Sequence, residues 1–235
     1  MVTGGSGDIG RSVATRFARD GYDVVLHTFR GVSRAEVAAA EVRALGREAA
    51  VVRAHLGRPS QTEKLVETVL DRTSGIEAFV GTAASAVMRP VADLTPKHLS
   101  WSFQVSALPL VTLVASLRPL CAVALTSPGS VSYVPDYAAA GAAKAAMEAL
   151  ARYLAVELAP STRVNVVSVG LVDTRSSRRL PQWDSLERDI RENTPMRRLV
   201  TPDDVAGAVA WLCSADASMV TGATIVLDGG RHLLH

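Results

Sequence analysis

Tyr137 and Lys144 stand seven residues apart in the stretch PDYAAAGAAKAAMEAL, residues 135–150. A phenol beside an ammonium can act as a proton donor. The positive charge favours the phenolate, and the phenol serves an oxygen that gains charge in a transition state. Ser127 closes the apolar run CAVALTS and could orient that oxygen. On a helix of 3.6 residues per turn, a spacing of seven puts both side chains on one face but about 10.5 Å apart along the axis. They meet only if Tyr137 lies in the loop before the helix and folds inward.

A second set of candidates lies in VTGGSGDIGRSVATRFA, Val2–Ala18. A short apolar strand leads into glycines and then a helix. Such a turn lets a diphosphate approach backbone N–H groups at a helix N-terminus. Thr3, Gly4, Ser6, Gly7, Ile9 and Gly10 are the residues expected to form this cradle. Asp8 is out of keeping with it. A carboxylate 4 Å from a phosphate charge costs about 1 kcal/mol in water and about 4 at an effective dielectric of 20. Asp8 is therefore expected to turn away and cap the helix. The next strand ends in LHTFR and offers no acid to hold the ribose 2′-hydroxyl of NAD, but it offers Arg30, with Arg34 beyond. A guanidinium there suits a 2′-phosphate, so the expected cofactor is NADPH.

Strands alternating with amphipathic helices must position these groups. Apolar runs at 22–29, 48–56, 75–83, 121–127, 163–170 and 223–230 read as strands apolar on both faces, as in a parallel sheet covered on both sides. The fold class expected is α/β, a Rossmann-type doubly wound sheet, with 1–235 as one dinucleotide-binding domain. Only MVT precedes the glycine loop. The first strand is either unusually short or continued upstream. The 235 residues are 48% hydrophobic and 20% charged, with a net charge of +2. Nothing in that balance asks for nucleic acid. No run of 18 uninterrupted apolar residues suggests a membrane span, and no leader pattern is present. Cys121 and Cys213, and His27, His55, His98, His232 and His235, show no metal-ligand spacing, so two reduced cysteines, a cytoplasmic location and no metal are expected.

Thr3-Gly4 through Ile9-Gly10 resembles the T-G-x-x-x-G-x-G pattern of the short-chain dehydrogenase/reductase superfamily, with Asp8 in place of the middle glycine. In the superfamily's carbonyl reductases the tyrosine precedes the lysine by four. Here that slot is Ala140. The Y-x6-K spacing resembles instead the NADPH-dependent bacterial enoyl-acyl-carrier-protein reductases of the same superfamily. The blocks FVGTAASAVMRPVADL, TSPGSVSYVPDYAAAGAAKAAMEALARYLAVELAP and RENTPMRRLVTPDDVAGAVAWLCSADASMVTGATIVLDGGRHLL carry that likeness along nearly the whole chain.

The resemblance implies an enoyl-thioester reductase with Tyr137, Lys144 and Ser127 as catalytic residues. It implies that Lys144 also holds the nicotinamide ribose, that Leu56 and Ala83 line the cofactor, and that Gly170, Val172 and Thr174 contact the nicotinamide amide. It implies a substrate-covering segment over about 174–199. That segment holds seven arginines against four acids, an excess of +3, which suits an acidic acyl carrier protein or a CoA phosphate. It also implies a homo-oligomer, dimer or tetramer, packed through the alanine-rich helix 138–158 and the helix before CAVALTS. The chain departs from the superfamily at His55, at Gly81 and Thr82 in place of two asparagines, and at Ser106 in place of an asparagine. A carbonyl reductase, or a non-redox scaffold on the same fold, are the alternative readings.

Overall fold

Seven parallel strands form one sheet of order β3-β2-β1-β4-β5-β6-β7 in the computed structural model, which describes residues 1–84, 87–180 and 182–234. Pro181 and His235 lie outside the described residues. The strands are β1 (Val2–Thr3), β2 (Val24–Thr28), β3 (Ala49–Arg53), β4 (Ala78–Gly81), β5 (Cys121–Thr126), β6 (Arg163–Val169) and β7 (Thr224–Leu227). The helices are α1 (Asp8–Arg19), α2 (Val32–Ala44), α3 (Pro59–Arg72), α4 (Pro96–Ser102), α5 (Leu108–Leu117), α6 (Ala138–Glu157), α7 (Trp183–Asn193) and α8 (Pro202–Cys213). Every strand expected from the sequence is present, trimmed at its ends.

The strands are apolar on both faces because each face meets its own helix layer. Val2, Leu26, Val80, Val123 and Val167 join α1, α2 and α8 in one core. Phe79, Ala122, Ala124 and Val166 join α3, α5 and α6 in the other. The strand order reverses between β1 and β4, and in such sheets ligands bind in the crevice beyond the carboxyl ends at that switch point. All the candidate site residues lie on that rim.

Within the described residues the first strand spans Val2–Thr3. Val2 pairs with Leu26 on one side, and Val2 and Thr3 with Val80 and Gly81 on the other. The Met1 ammonium donates to the Ala78 carbonyl (2.7 Å), and burial pushes its pKa down to about 5. Beside it an open cavity of about 680 Å³ separates the starts of β2 and β4, lined by Met1, Val25, Arg47, Ile76 and Ala78 among others.

Two features go beyond what the sequence reading gave. The helix Pro96–Leu117 runs unbroken through a π-turn at Phe103–Ala107, and by length and composition alone it passes for one that could cross a bilayer. It packs here against α3 and α6. Cys121 and Cys213, distant in sequence, are neighbours. The Cys121 thiol donates to the Leu212 carbonyl (3.2 Å) and lies within hydrogen-bonding reach of Cys213, and both are free.

Candidate active site

The glycine loop is as tight as its sequence suggests. Gly4 has φ +69°, and a Cβ there would stand 2.7 Å from Thr82 Oγ1. A Cβ on Gly10 would stand 2.5 Å from the Gly4 carbonyl oxygen. Backbone therefore lies directly on backbone, and the first turn of α1, whose N–H groups have no partners within the helix, follows at once. Such a turn could hold a diphosphate, with room that side chains would fill.

Thr3 anchors it. Thr82 Oγ1 donates to the Thr3 carbonyl (2.5 Å), and the Ala83 N–H donates to Thr3 Oγ1 (3.3 Å). Thr82 thus ties β4 to β1 where asparagines were expected. Ser6 faces β2, its Oγ accepting from Thr28 Oγ1 (2.9 Å) and its carbonyl from Arg34 Nε (3.2 Å).

Asp8 does not cap α1 but pairs with Arg175. Gly7 holds the N-cap position, without a side-chain bond. The Asp8 carboxylate accepts the Arg175 backbone N–H (2.7 Å), Nε (2.8 Å) and Nη2 (2.7 Å). Burial pushes the Asp8 pKa upward, but the bonds from Arg175 and the charges of Arg175 and Arg11 outweigh it, and the pKa falls below the ordinary value.

Three arginines gather where β2 ends. Arg30 lies over the Phe29 ring, 5.5 Å from its centroid, and Arg53 approaches the same ring at 6.0 Å while its Nε donates to the Phe29 carbonyl (3.2 Å). Arg34 is the third. Arg53 was missed in the sequence, although its register opposite Thr28 is the signal that places it. His55 packs edge-on between Phe29 (4.5 Å) and Trp101 (5.2 Å), and its Nδ1 accepts from the Gly57 N–H (3.1 Å). Leu56 follows it, nearly buried. His55 and Trp101 give this end of the crevice an aromatic wall that a small acid would not.

Ser127 and Tyr137 meet on the other side of the switch point, and Lys144 reaches the end of the strand that Ser127 follows. Tyr137 is the N-cap residue of α6, not a helical residue, so the axial separation from Lys144 does not apply. Its ring folds back onto Gly129, where a Cβ would stand 2.6 Å from Tyr137 Cδ1. Gly141 makes this possible, since a Cβ there would lie 2.4 Å from the Gly129 carbonyl oxygen. Ser127 Oγ donates to Tyr137 Oη at 3.3 Å, leaving the phenol's own proton available. Ala140 is 3% exposed and carries nothing that could replace it. Lys144 reaches the end of β5, where Nζ donates to the Leu125 carbonyl (2.6 Å). Its burial pushes the ammonium pKa down to about 8, against the opposing charge of Glu148 one turn along.

The loop after β6 lies against the end of β7. Gly170 donates to the Leu227 carbonyl (2.9 Å), and a Cβ there would stand 2.9 Å from Asp228 Cβ. Val172 bridges to Val200, and Thr174 Oγ1 pairs with Ser177 Oγ (2.9 Å). The segment expected to cover the substrate, about 174–199, contains α7. Its basic excess is less available than the sequence suggests, because Arg175, Arg178, Arg191 and Arg198 pair with Asp8, Asp173, Glu187 and Asp204. Arg179, Arg188 and Arg197 form no ion pair among the described residues.

Residues 5–232 match the family model described as enoyl-(acyl carrier protein) reductase. The chain is 33% identical over 242 residues to 1-cyclohexenylcarbonyl-CoA reductase of Streptomyces collinus, covering 100% of this chain and 86% of that one. It is 31% identical over 247 residues to a candidate ketoacyl reductase of the granaticin polyketide synthase of Streptomyces violaceoruber, covering 100% and 96%. A short-chain dehydrogenase of Burkholderia cenocepacia, solved in complex with NADP, superposes with a TM-score of 0.90 at 26% identity over 98% of this chain and 96% of that one.

The buried lysine has a signature in stability. Its folded pKa of about 8 lies below its ordinary 10.5, so between those values the unfolded chain holds a proton that the native chain has lost, and stability gains with rising pH. Lys144→Met lacks this gain. Its stability advantage over the natural chain is expected to shrink by about 3 kcal/mol across that window, read by urea unfolding at several pH values. A constant difference would show that Lys144 titrates as an exposed lysine.

Proposed function

The chain belongs to the short-chain dehydrogenase/reductase superfamily of oxidoreductases, and we propose that within it the protein reduces the C=C bond of an enoyl thioester with NADPH. Membership sets aside the non-redox scaffold. The observation that carries the enoyl reading is the Ser127–Tyr137 contact at the very start of α6, with alanine in the four-spaced slot. The tight glycine cradle and the three arginines at the end of β2 suit NADPH, which when bound supplies hydride.

The geometry fits conjugate reduction for a simple reason. Hydride adds to the β-carbon, the π electrons shift, and negative charge develops on the thioester oxygen two carbons away. In a ketone the charged oxygen sits on the carbon that receives hydride. The proton donor must therefore be displaced between the two reactions. Tyr137 gives its proton to the displaced oxygen, the resulting enol tautomerises to the saturated thioester, and Ser127 orients the phenol. Lys144 holds the ribose and stabilises the phenolate character of Tyr137. The covering segment excludes water, and Arg179, Arg188 and Arg197 are left to meet an acidic carrier protein or a CoA phosphate.

Tyr137→Phe is expected to lower turnover of a crotonyl thioester by roughly 10²–10⁴, the worth of a positioned acid, with NADPH affinity nearly unchanged. Adding Ala140→Tyr is expected not to restore it. Steady-state kinetics on crotonyl and 3-ketoacyl thioesters decide the matter. Full crotonyl turnover in Tyr137→Phe would make the tyrosine structural, and preferential turnover of the 3-ketoacyl thioester would favour the carbonyl-reductase reading.

Nucleotide titration tests the cofactor. NADPH is expected to bind at least about tenfold more tightly than NADH, and Arg30→Ala to erase most of that preference. Equal affinities in the natural chain would refute the assignment.

The same reading gives a homo-oligomer formed across α5 and α6. Tyr153 (68% exposed) and Val156 (78% exposed) on α6, with Leu108 on α5, form the apolar part of that face. Light scattering at micromolar concentration is expected to give a dimer or tetramer, and a monomer would count against this packing.

A further inference from the structure

The carboxylate of Asp8 sits at the first residue of α1, at the edge of the diphosphate cradle, and its hydrogen-bond partner is 167 residues away in sequence. Both oxygens are engaged. Oδ2 takes the Arg175 backbone N–H, and Oδ1 takes Nε and Nη2. The neighbouring arginines are committed elsewhere, Arg11 to Glu41 and Arg178 to Asp173. Arg175 follows Thr174 directly and opens the covering segment.

We propose that Arg175 is a positioning residue for nucleotide binding, which cancels the Asp8 charge at the diphosphate cradle and thereby fastens the root of the covering segment to it. The proposal rests on the reading of the glycine loop as a nucleotide site. Without Arg175, the Asp8 carboxylate at the edge of the cradle loses its only hydrogen-bonded cation among the described residues, with Arg11 acting on it through charge alone, and like charges repel even in water. The backbone N–H in the same contact means that the main chain at residue 175 moves with the pair, not only a side-chain tip. One ion pair therefore sets both the charge of the cradle and the start of its cover.

A double-mutant cycle separates this from a direct contact between Arg175 and phosphate. NADPH dissociation constants are measured for the natural chain, Asp8→Asn, Arg175→Ala and the double variant, at low and moderate salt. Amide hydrogen exchange of residues 173–180 is followed in the nucleotide-free proteins. Arg175→Ala is expected to weaken NADPH binding by about tenfold or more, with the loss smaller at higher salt. Asp8→Asn is expected to bind as the natural chain does or more tightly, and the double variant to recover to near the Asp8→Asn value. Exchange at 173–180 is expected to quicken in all three variants. Arg175→Lys, which keeps the charge but not the fork, is expected to retain most of the affinity while exchanging faster. A double variant as weak as Arg175→Ala would show that Arg175 binds phosphate itself or supports the fold, and would overturn the proposal. So would unchanged affinity in Arg175→Ala. If the natural chain binds neither NADPH nor NADH, the nucleotide-site reading fails first, and this role falls with it.

Discussion

The clasp on Thr3 is the joint on which the crevice depends. Thr82 and Ala83, just past β4, hold the carbonyl and hydroxyl of the last residue of β1. With β1 only two residues long, the ladder itself gives the glycine loop little support. A strand this short must be held from the side. The clasp fixes where the backbone leaves the sheet, and so where Gly4 turns and where α1 begins. It lies between the two halves of the sheet, so it also sets the distance between the cradle on β1 and β2 and the reacting groups on β5 and α6. The contact between Gly4 and Thr82 leaves no room for adjustment.

On the far side of the switch point, backbone again determines chemistry. The tyrosine reaches its place because the chain ahead of α6 turns through Asp136, at φ +59°, before the helix starts. The phenol is presented by the N-cap, and the lysine by the second turn of the helix. Placing the proposed donor at the N-cap lets its oxygen be displaced without disturbing the lysine. The vacated position holds a buried alanine that packs rather than reacts.

Much of this was legible in the sequence. Strand and helix periodicity gave the doubly wound sheet, because strands buried on both faces leave unbroken apolar runs that helices do not. The glycine positions were legible for a similar reason, since side chains are excluded there by contact. The inward fold of Tyr137 was visible only as one of two options, because it depends on Gly129 and Gly141 meeting across twelve residues of chain. Arg53, Trp101 and Arg175 were not legible as site residues. Each is an ordinary residue in its own segment and gains its role from register or from a long-range contact. The basic surface of the covering segment was overestimated because a sequence counts charges and not partners.

The contact between Gly129 and Gly141 has a consequence for how such a site can vary. A Cβ at Gly129 would strike the Tyr137 ring, and one at Gly141 would strike the Gly129 carbonyl, so both bear on the tyrosine or the loop beneath it. A methyl group at either is thus a remote displacement of the phenol, made without touching it. Variation at the two positions is coupled to the placement of the proton donor, so a lineage that enlarges one must reset the loop before it can keep the reaction.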